Sequence, residues 1–275
     1  MKSLEDKVVV VTGAGSGIGR AVALNVAAKG ALLAVSDWNE DGLAETVELL
    51  KEAGARGIKA DRLDVSDKDA FVAYATAVKE HYGRVNVVVN NAGVSHSGPV
   101  TAMEYADFEW IVGINFWGVV YGTREFLPHL IESGDGHLVN ISSLFGLVSM
   151  PGQSTYNATK YAVRGFTEAV REDMILGKHK VGVTCVHPGG IKTGIARNGR
   201  TTAGEDHDKL AATFDAKLAR MTPDKAAAII VDGMLAGKAR VLVGADAHAI
   251  HWTGKLLGSR YQDVFARAAR LVLPR

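Results

Sequence analysis

The chain has 275 residues, 47% of them hydrophobic and 22% charged, with a formal net charge of +1. Length and composition suit a globular chain with a sizeable core, and the near-neutral balance gives no electrostatic reason for a nucleic-acid partner or an acidic surface. The single cysteine, Cys185, excludes an intrachain disulfide, as expected in a reducing compartment.

The charged start MKSLEDK runs directly into a strand pattern and leaves no room for a signal peptide. No apolar run reaches the roughly 18 residues of a membrane helix, so a cytoplasmic protein is expected. Seven short β-branched runs recur, at 8–12, 32–37, 57–65, 85–91, 137–142, 181–186 and 240–244. Helical periodicity separates most of them. Residues 39–53 carry Leu43, Val47, Leu49 and Leu50, and residues 67–82 carry Phe71, Tyr74, Ala75 and Val78. Strand alternating with helix predicts a single doubly wound α/β domain over 1–275, with a seven-stranded parallel sheet and helices on both faces. Its core is expected over about 5–245. A polar, Gly-rich loop is expected at 190–220, and an amphipathic extension at 246–275.

The first strand leads into TGAGSGIG (12–19). The fingerprint G-x-G-x-x-G does not fit, since its sixth position is Ile18 counted from Gly13 and Arg20 counted from Gly15. The glycines are spaced Gly13-x-x-x-Gly17-x-Gly19, and no Walker A loop occurs. A strand–glycine loop–helix order suits a phosphate at a helix N-terminus, with a structural turn the alternative for this stretch alone. Of the phosphate-side positions Gly13, Ser16, Gly17, Ile18 and Gly19, the glycines are needed for the close approach, and Gly15 is expected to tolerate change best.

Asp37 ends the second run, 18 residues after Gly19, where a carboxylate can hold an adenosine ribose and repel a 2′-phosphate. Neither Trp38 nor Ser16 offers a cation, so NAD is favoured over NADP. Asp37 could instead cap the following helix, a task Asn39 could also perform. Asp64, with Val65 after it, is either an adenine-side contact or a turn residue.

Farther along, Tyr156 and Lys160 stand four apart on a helix and so share a face. A phenol is a poor base at neutrality, and an ammonium beside it favours phenolate. Alone, the pair also fits an exposed surface pair. NISS (140–143) places Ser142 and Ser143, and NNAG (90–93) places Asn91, Ala92 and Gly93, at strand ends on the ligand-binding edge of such sheets. Asn115 falls inside a long helical segment, where an exposed amide is the plainer reading. Cys185, in VGVTCV, reads as a packing residue. The nine histidines, His96 and His187 among them, show no metal-ligand spacing, so no metal is expected.

Together these residues resemble the short-chain dehydrogenase/reductase family. The match runs over about 5–245 through T-G-x-x-x-G-I-G at Thr12–Gly19, Asp37, Asp64-Val65, Asn90–Gly93, Asn115, Ser143, Tyr156-x-x-x-Lys160, and Pro188-Gly189 with Ile191 and Thr193. The resemblance implies a catalytic set of Asn115, Ser143, Tyr156 and Lys160, with Ser142 structural. It implies that Lys160 contacts the nicotinamide ribose and that Ile191 and Thr193 hold the carboxamide. The implied activity is hydride exchange between NAD and a secondary alcohol or ketone, with Tyr156 as general base, Ser143 as hydrogen-bond donor, and Lys160 lowering the tyrosine pKa and returning the proton through water and Asn115. Val94–Gly98, Leu144–Met150 and 190–220 are the expected pocket, and LFGLVSM makes an apolar substrate the favoured one. The resemblance also implies a homo-oligomer, typically a tetramer, paired through helices at about 107–133 and 154–177.

Two other functions use parts of this pattern. Nucleotide-sugar epimerases share Tyr-x-x-x-Lys, but usually with a G-x-x-G-x-x-G loop and a larger C-terminal domain. A non-enzymatic dinucleotide sensor would be expected to lose the Ser/Tyr/Lys set. The C-terminal stretch carries Leu257, Tyr261, Val264, Phe265, Ala268, Leu271 and Val272 at helical spacing among Lys255, Arg260, Arg267, Arg270 and Arg275. It departs from a family whose members often end near the seventh strand. Packing on its own or a neighbouring subunit is favoured over contact with a membrane surface.

Overall fold

The computed structural model describes residues 1–272. Seven strands form one parallel sheet: β1 (Val8–Thr12), β2 (Leu32–Asp37), β3 (Ile58–Arg62), β4 (Val87–Asn90), β5 (Gly136–Ile141), β6 (Val181–Pro188) and β7 (Arg240–Val243). Their spatial order is β3-β2-β1-β4-β5-β6-β7. The order reverses between β1 and β4, and the crevice at the carboxyl end of such a switch is where doubly wound sheets bind ligands.

The apolar strands are explained by burial on both faces. Val9 and Val11 join Leu33 and Val35 beneath α1 (Gly17–Ala27), α2 (Glu40–Glu52) and α8 (Pro223–Leu235). Val10, between them, points the other way, joining Ala34, Val88 and Leu138 beneath α3 (Lys68–Tyr82), α5 (Gly118–Glu132) and α6 (Ser154–Leu176). Successive side chains alternate across a strand, so both registers must be apolar when both faces are covered. On the second face Phe71, Tyr74 and Phe126 meet edge to face, with ring centroids 6.1–6.4 Å apart.

Helix starts follow local capping. Asn39 accepts from Gly42 N and caps α2, Asp67 caps α3, and Thr222 caps α8 with Pro223 following. The capping reading of Asp37 is therefore set aside, because Asn39 does that work. α4 (Tyr105–Val112) runs into α5 through a π turn at Gly113–Trp117. The extra residue in that turn rotates Asn115 inward, and the amide expected on a helix surface is fully buried.

Two regions carry more structure than their sequence announces. The 190–220 stretch is not simply a loop. Arg200–Thr201 pairs in parallel with His96–Ser97, and α7 (His207–Thr213) continues into a π turn at Phe214–Leu218. The C-terminal stretch is two helices, α9 (Ala245–Leu257) and α10 (Tyr261–Val272). Gly258 divides them at φ +54, a conformation that costs a side-chain-bearing residue dearly. The side chains of Leu271 and Val272, and Arg275 altogether, lie outside the described residues. Among the described residues no helix is long and apolar enough to cross a membrane.

Candidate active site

The glycine loop closes on three neighbours. Gly13 (φ +66) and Gly17 (φ +54) occupy left-handed conformations. A Cβ on Gly13 would stand 2.7 Å from Ala92 Cα, and one on Gly19 only 2.0 Å from Gly13 O. Ser16 precedes α1 in an extended conformation and its side chain does not cap the helix. The first-turn N–H groups of α1 thus lack a side-chain acceptor, which is the arrangement an anion uses. Ile18 is partly buried against the core.

Gly15 has no positive φ, yet it is not free of constraint. Its N–H donates to Asp37 Oδ2 at 2.8 Å, and a Cβ there would lie 2.9 Å from both Asp37 Cγ and Oδ2. Asp37 is buried, and its Oδ1 accepts Asn39 N at 2.9 Å. Trp38 beside it is exposed. Arg20, not singled out in the sequence, bonds Gly15 O, Gly42 O, Thr46 and Glu45. A cation does stand near the loop, but its donors are committed to bracing the loop against α2.

β4 supports the loop from the other side. Asn91 Nδ2 donates to Thr12 O and Gly13 O at 3.0 and 3.1 Å, and Asn91 N and Ala92 N both donate to Thr12 Oγ1. Gly93 lies against the reacting groups, since a Cβ there would be 3.2 Å from Asn115 Oδ1 and 3.4 Å from Lys160 Nζ. After β6, Thr193 lies over the glycine loop, its Cγ2 being 3.1 Å from a Cβ built on Gly17. Ile191 packs into the core and bridges Met221. Pro188 pairs with Val243, and Gly189 faces Asp246, whose Oδ2 accepts Gly190 N at 2.7 Å. Asp64 is exposed, and its Oδ1 accepts the N–H and hydroxyl of Ser66 at 2.9 and 2.7 Å, a turn contact. Val65 is buried against Gly118.

The four residues of the expected catalytic set meet at the carboxyl end of the sheet. Ser142 and Ser143 separate cleanly. Ser142 Oγ donates to Lys160 O at 2.8 Å and is buried. Ser143 Oγ accepts Phe145 N at 3.1 Å, and the hydroxyl lies near enough to Tyr156 to pull its pKa down. Lys160 is buried, donates to Ile141 O at 3.1 Å, and lies 5.6 Å from the centre of the Tyr156 ring. Burial pulls the lysine down to about 8. Burial pushes the half-buried Tyr156 phenol up to about 12, against the pull of Ser143. The expectation that Lys160 lowers the tyrosine is thus not met in the protein by itself, because desolvation dominates. Asn115 Oδ1 accepts Val94 N at 2.8 Å, and its Nδ2 donates to Val94 O at 2.9 Å and Thr159 Oγ1 at 3.2 Å. This amide pairs with Val94 as one strand pairs with another, fixing the turn after β4.

The expected pocket walls carry a further cluster. His96 Nδ1 lies 3.0 Å from Thr155 Oγ1, next to Tyr156, while Nε2 is 3.7 Å from Asp107. Asp107 accepts from Arg200 at 3.0 Å, and Arg200 lies 4.0 Å over the Trp110 ring. Ser95 Oγ donates to Ile195 O at 2.8 Å. The Arg200 and Ser95 contacts tie 190–202 to α4 and to the loop after β4; no local pattern announces them, because each joins residues about 90 to 100 apart. Beside them a cavity of about 710 Å³, bounded by Met150, Pro151, Asn157, Tyr161 and Tyr261, brings α10 to the edge of the site. Cys185 is buried, and burial raises its thiol to about 12. Among the described residues no three His, Cys, Asp or Glu side chains gather as a metal site.

A parallel sheet with an open helix N-terminus and an acid at the end of β2, facing a Ser–Tyr–Lys cluster, defines the dinucleotide-dependent oxidoreductase class. The short chain dehydrogenase family model matches residues 7–204, and the chain belongs to that family. It is 54% identical over 274 residues to SadH of Mycobacterium tuberculosis, a protein named as an oxidoreductase, covering 100% of this chain and 99% of that one. YxnA of Bacillus subtilis, also named as an oxidoreductase, is 34% identical over 93% of this chain and 70% of its own. Among solved structures, a short chain dehydrogenase/reductase from Burkholderia phymatum in complex with NAD superposes with a TM-score of 0.88. It is 30% identical, over 95% of this chain and 97% of that one. The chain is an oxidoreductase of this family.

Proposed function

We propose that the protein exchanges a hydride between NAD and an apolar secondary alcohol or its ketone, with Tyr156 as the general acid and base. The observation that carries this reading is the buried Lys160, whose Nζ lies 5.6 Å from the centre of the Tyr156 ring, with Ser143 near enough to pull the phenol down. The glycine loop fits a pyrophosphate because the N–H groups of α1 are uncapped and Gly13 and Gly17 adopt conformations closed to other residues. Gly13, Ser16, Gly17, Ile18 and Gly19 would hold the phosphates, Asp37 and Trp38 the adenosine, and Gly93, Lys160, Ile191 and Thr193 the nicotinamide half. Asp37 favours NAD, since its buried carboxylate would repel a 2′-phosphate and Arg20 is already committed. The superposable Burkholderia phymatum protein, which binds NAD, supports the same choice.

When bound, NAD supplies the hydride acceptor and, oxidised, a positive charge. The side chains do the rest. Ser143 donates a hydrogen bond to the substrate oxygen. Tyr156 gives or takes the hydroxyl proton. Lys160 keeps a cation behind the phenol, and Asn115 holds Val94 so that Gly93 stays in place beside it. A resting phenol near 12 favours the acid role, and added positive charge is needed for the base role. Phe145, edge-on to Tyr156 at 6.0 Å, gives the pocket an apolar wall. Pairing of copies through α5 and α6 is part of this reading; Trp117 is exposed there and Gly165 leaves its surface open. Light scattering tests the pairing.

The reading is tested by incubating the protein with NAD and a panel of alcohols, cyclohexanol and glycerol among them, and following reduced-cofactor absorbance. Apolar alcohols are expected to be the better substrates. Tyr156→Phe should abolish turnover while NADH binding, read by fluorescence, survives. Full activity in that variant would sink the assignment.

A further inference from the structure

His187 sits one residue before the end of β6, and its ring is fully buried. Its Nδ1 is 2.9 Å from the carbonyl oxygen of Ser143. A carbonyl only accepts, so Nδ1 carries the proton and the tautomer is fixed. Nε2 is buried and has no partner. Burial pulls the imidazole down to about 4, so it is neutral at physiological pH. Arg240 on β7 and Arg164 on α6 push in the same direction, and Glu168 on α6 opposes them.

An aliphatic side chain would fill this space without desolvating a lone Nε2. What histidine adds is one N–H, directed at Ser143. That residue lies two positions beyond the end of β5 and opens the Leu144–Gly146 turn. Its carbonyl also accepts Gly146 N at 2.9 Å, and its hydroxyl accepts Phe145 N. Both of those contacts come from within the same short turn and move with it. The neighbouring strand holds this corner through Ser142 N on Val186 O at 2.8 Å, and then through His187.

We infer that His187 is a positioning residue for the reaction: its Nδ1–H locks the Ser143 peptide so that the serine hydroxyl meets the tyrosine hydroxyl. The inference rests on the reading of Ser143 and Tyr156 as the reacting pair. A serine hydroxyl held in line opposes the upward push that burial exerts on Tyr156. A loosened serine leaves that push less opposed, so the alkaline form of the tyrosine appears at higher pH.

The test compares His187→Leu, which removes the N–H, with His187→Asn, whose amide N–H issues from about the same place. The assay is alcohol oxidation with the best substrate of the panel, followed across pH. Leucine should lower kcat about 10- to 100-fold and move the rising limb of kcat/KM, which follows tyrosine deprotonation, to higher pH, with NADH affinity unchanged. Asparagine should recover most of kcat and return the limb. Equal losses in both variants, an unmoved limb, or a loss matched by the fall in folded protein overturns the inference. Wild-type rates in His187→Leu also overturn it, whereas activity in Tyr156→Phe instead removes the reading on which it stands.

Discussion

The carboxylate of Asp37 and the main-chain N–H of Gly15 are joined by a 2.8 Å hydrogen bond. The glycine loop and the end of β2 are therefore one object. With Asn39 N on its other oxygen, the acid is aimed before any ligand arrives. Gly15→Ala puts a methyl 2.9 Å from the carboxylate and 3.2 Å from Leu43 N. The side chain must turn away, losing its alignment while the core stays intact. NADH affinity should fall about tenfold, roughly the worth of one hydrogen bond to a charged group, with little change in melting temperature. Fluorescence titration beside a thermal melt checks both. Unchanged affinity would mean that Asp37 does not face the ribose.

Asn115 and Val94 satisfy each other's polar groups in both directions. Asn115→Leu keeps the volume and leaves a main-chain N–H and C=O without their partner. Each costs about 1–3 kcal/mol if no water reaches it, so the melting temperature should drop by at least several degrees. Calorimetry decides. A melt within a degree of wild type would mean that the Val94 turn finds other partners.

The contrast between these two sites explains what could be read in advance. The glycine spacing, Asp37 and the Tyr156–Lys160 pair were legible because each depends on a local repeat or on a strand end. So was the sheet, since burial on both faces forces runs such as VVVV at 8–11. The role of Gly15 was not legible, because its constraint comes from a carboxylate 22 residues away. Asn115 by its own spacing fits a helix surface, and only the family resemblance placed it in the site, because a π turn shifts the face by one residue and no spacing in GINFW announces that turn. The pKa of Tyr156 was expected from charge alone, and burial reverses it. Gly258 did carry a signal: a glycine inside an amphipathic stretch is a helix breaker, and the two helices divide there.

Arg200 ties the 190–202 segment to α4 through Asp107 and the face of Trp110. It is half exposed, so the ion pair itself contributes no more than about 1 kcal/mol to stability. Its larger effect is to hold the segment closed beside His96. Arg200→Ala should leave the melt nearly unchanged, raise KM for the alcohol several-fold with NADH affinity intact, and speed tryptic cleavage at Arg197. Unaltered proteolysis and KM would show that the two-residue pairing with His96–Ser97 suffices.

Acid should unfold this protein through two buried histidines. His137 and His187 are each pulled down to about 4 by burial, and His137 Nε2 is 2.8 Å from Thr184 Oγ1. In the unfolded chain both titrate near 6.5. Between about pH 6.5 and 4 the unfolded state therefore binds protons that the native state refuses, and stability falls as pH falls. At 1.36 kcal/mol per unit, each histidine removes roughly 3 kcal/mol by the bottom of that window, a large part of the stability of an ordinary domain. Below about 4 the native histidines protonate too and this contribution stops growing. Denaturant melts at intervals from pH 7 to 4 should show the loss, and His137→Gln should halve its slope by removing one of the two protons taken up on unfolding. A flat profile would mean that the histidines protonate within the fold, with Asp135 beside His137 and Glu168 near His187 as the stabilising charges.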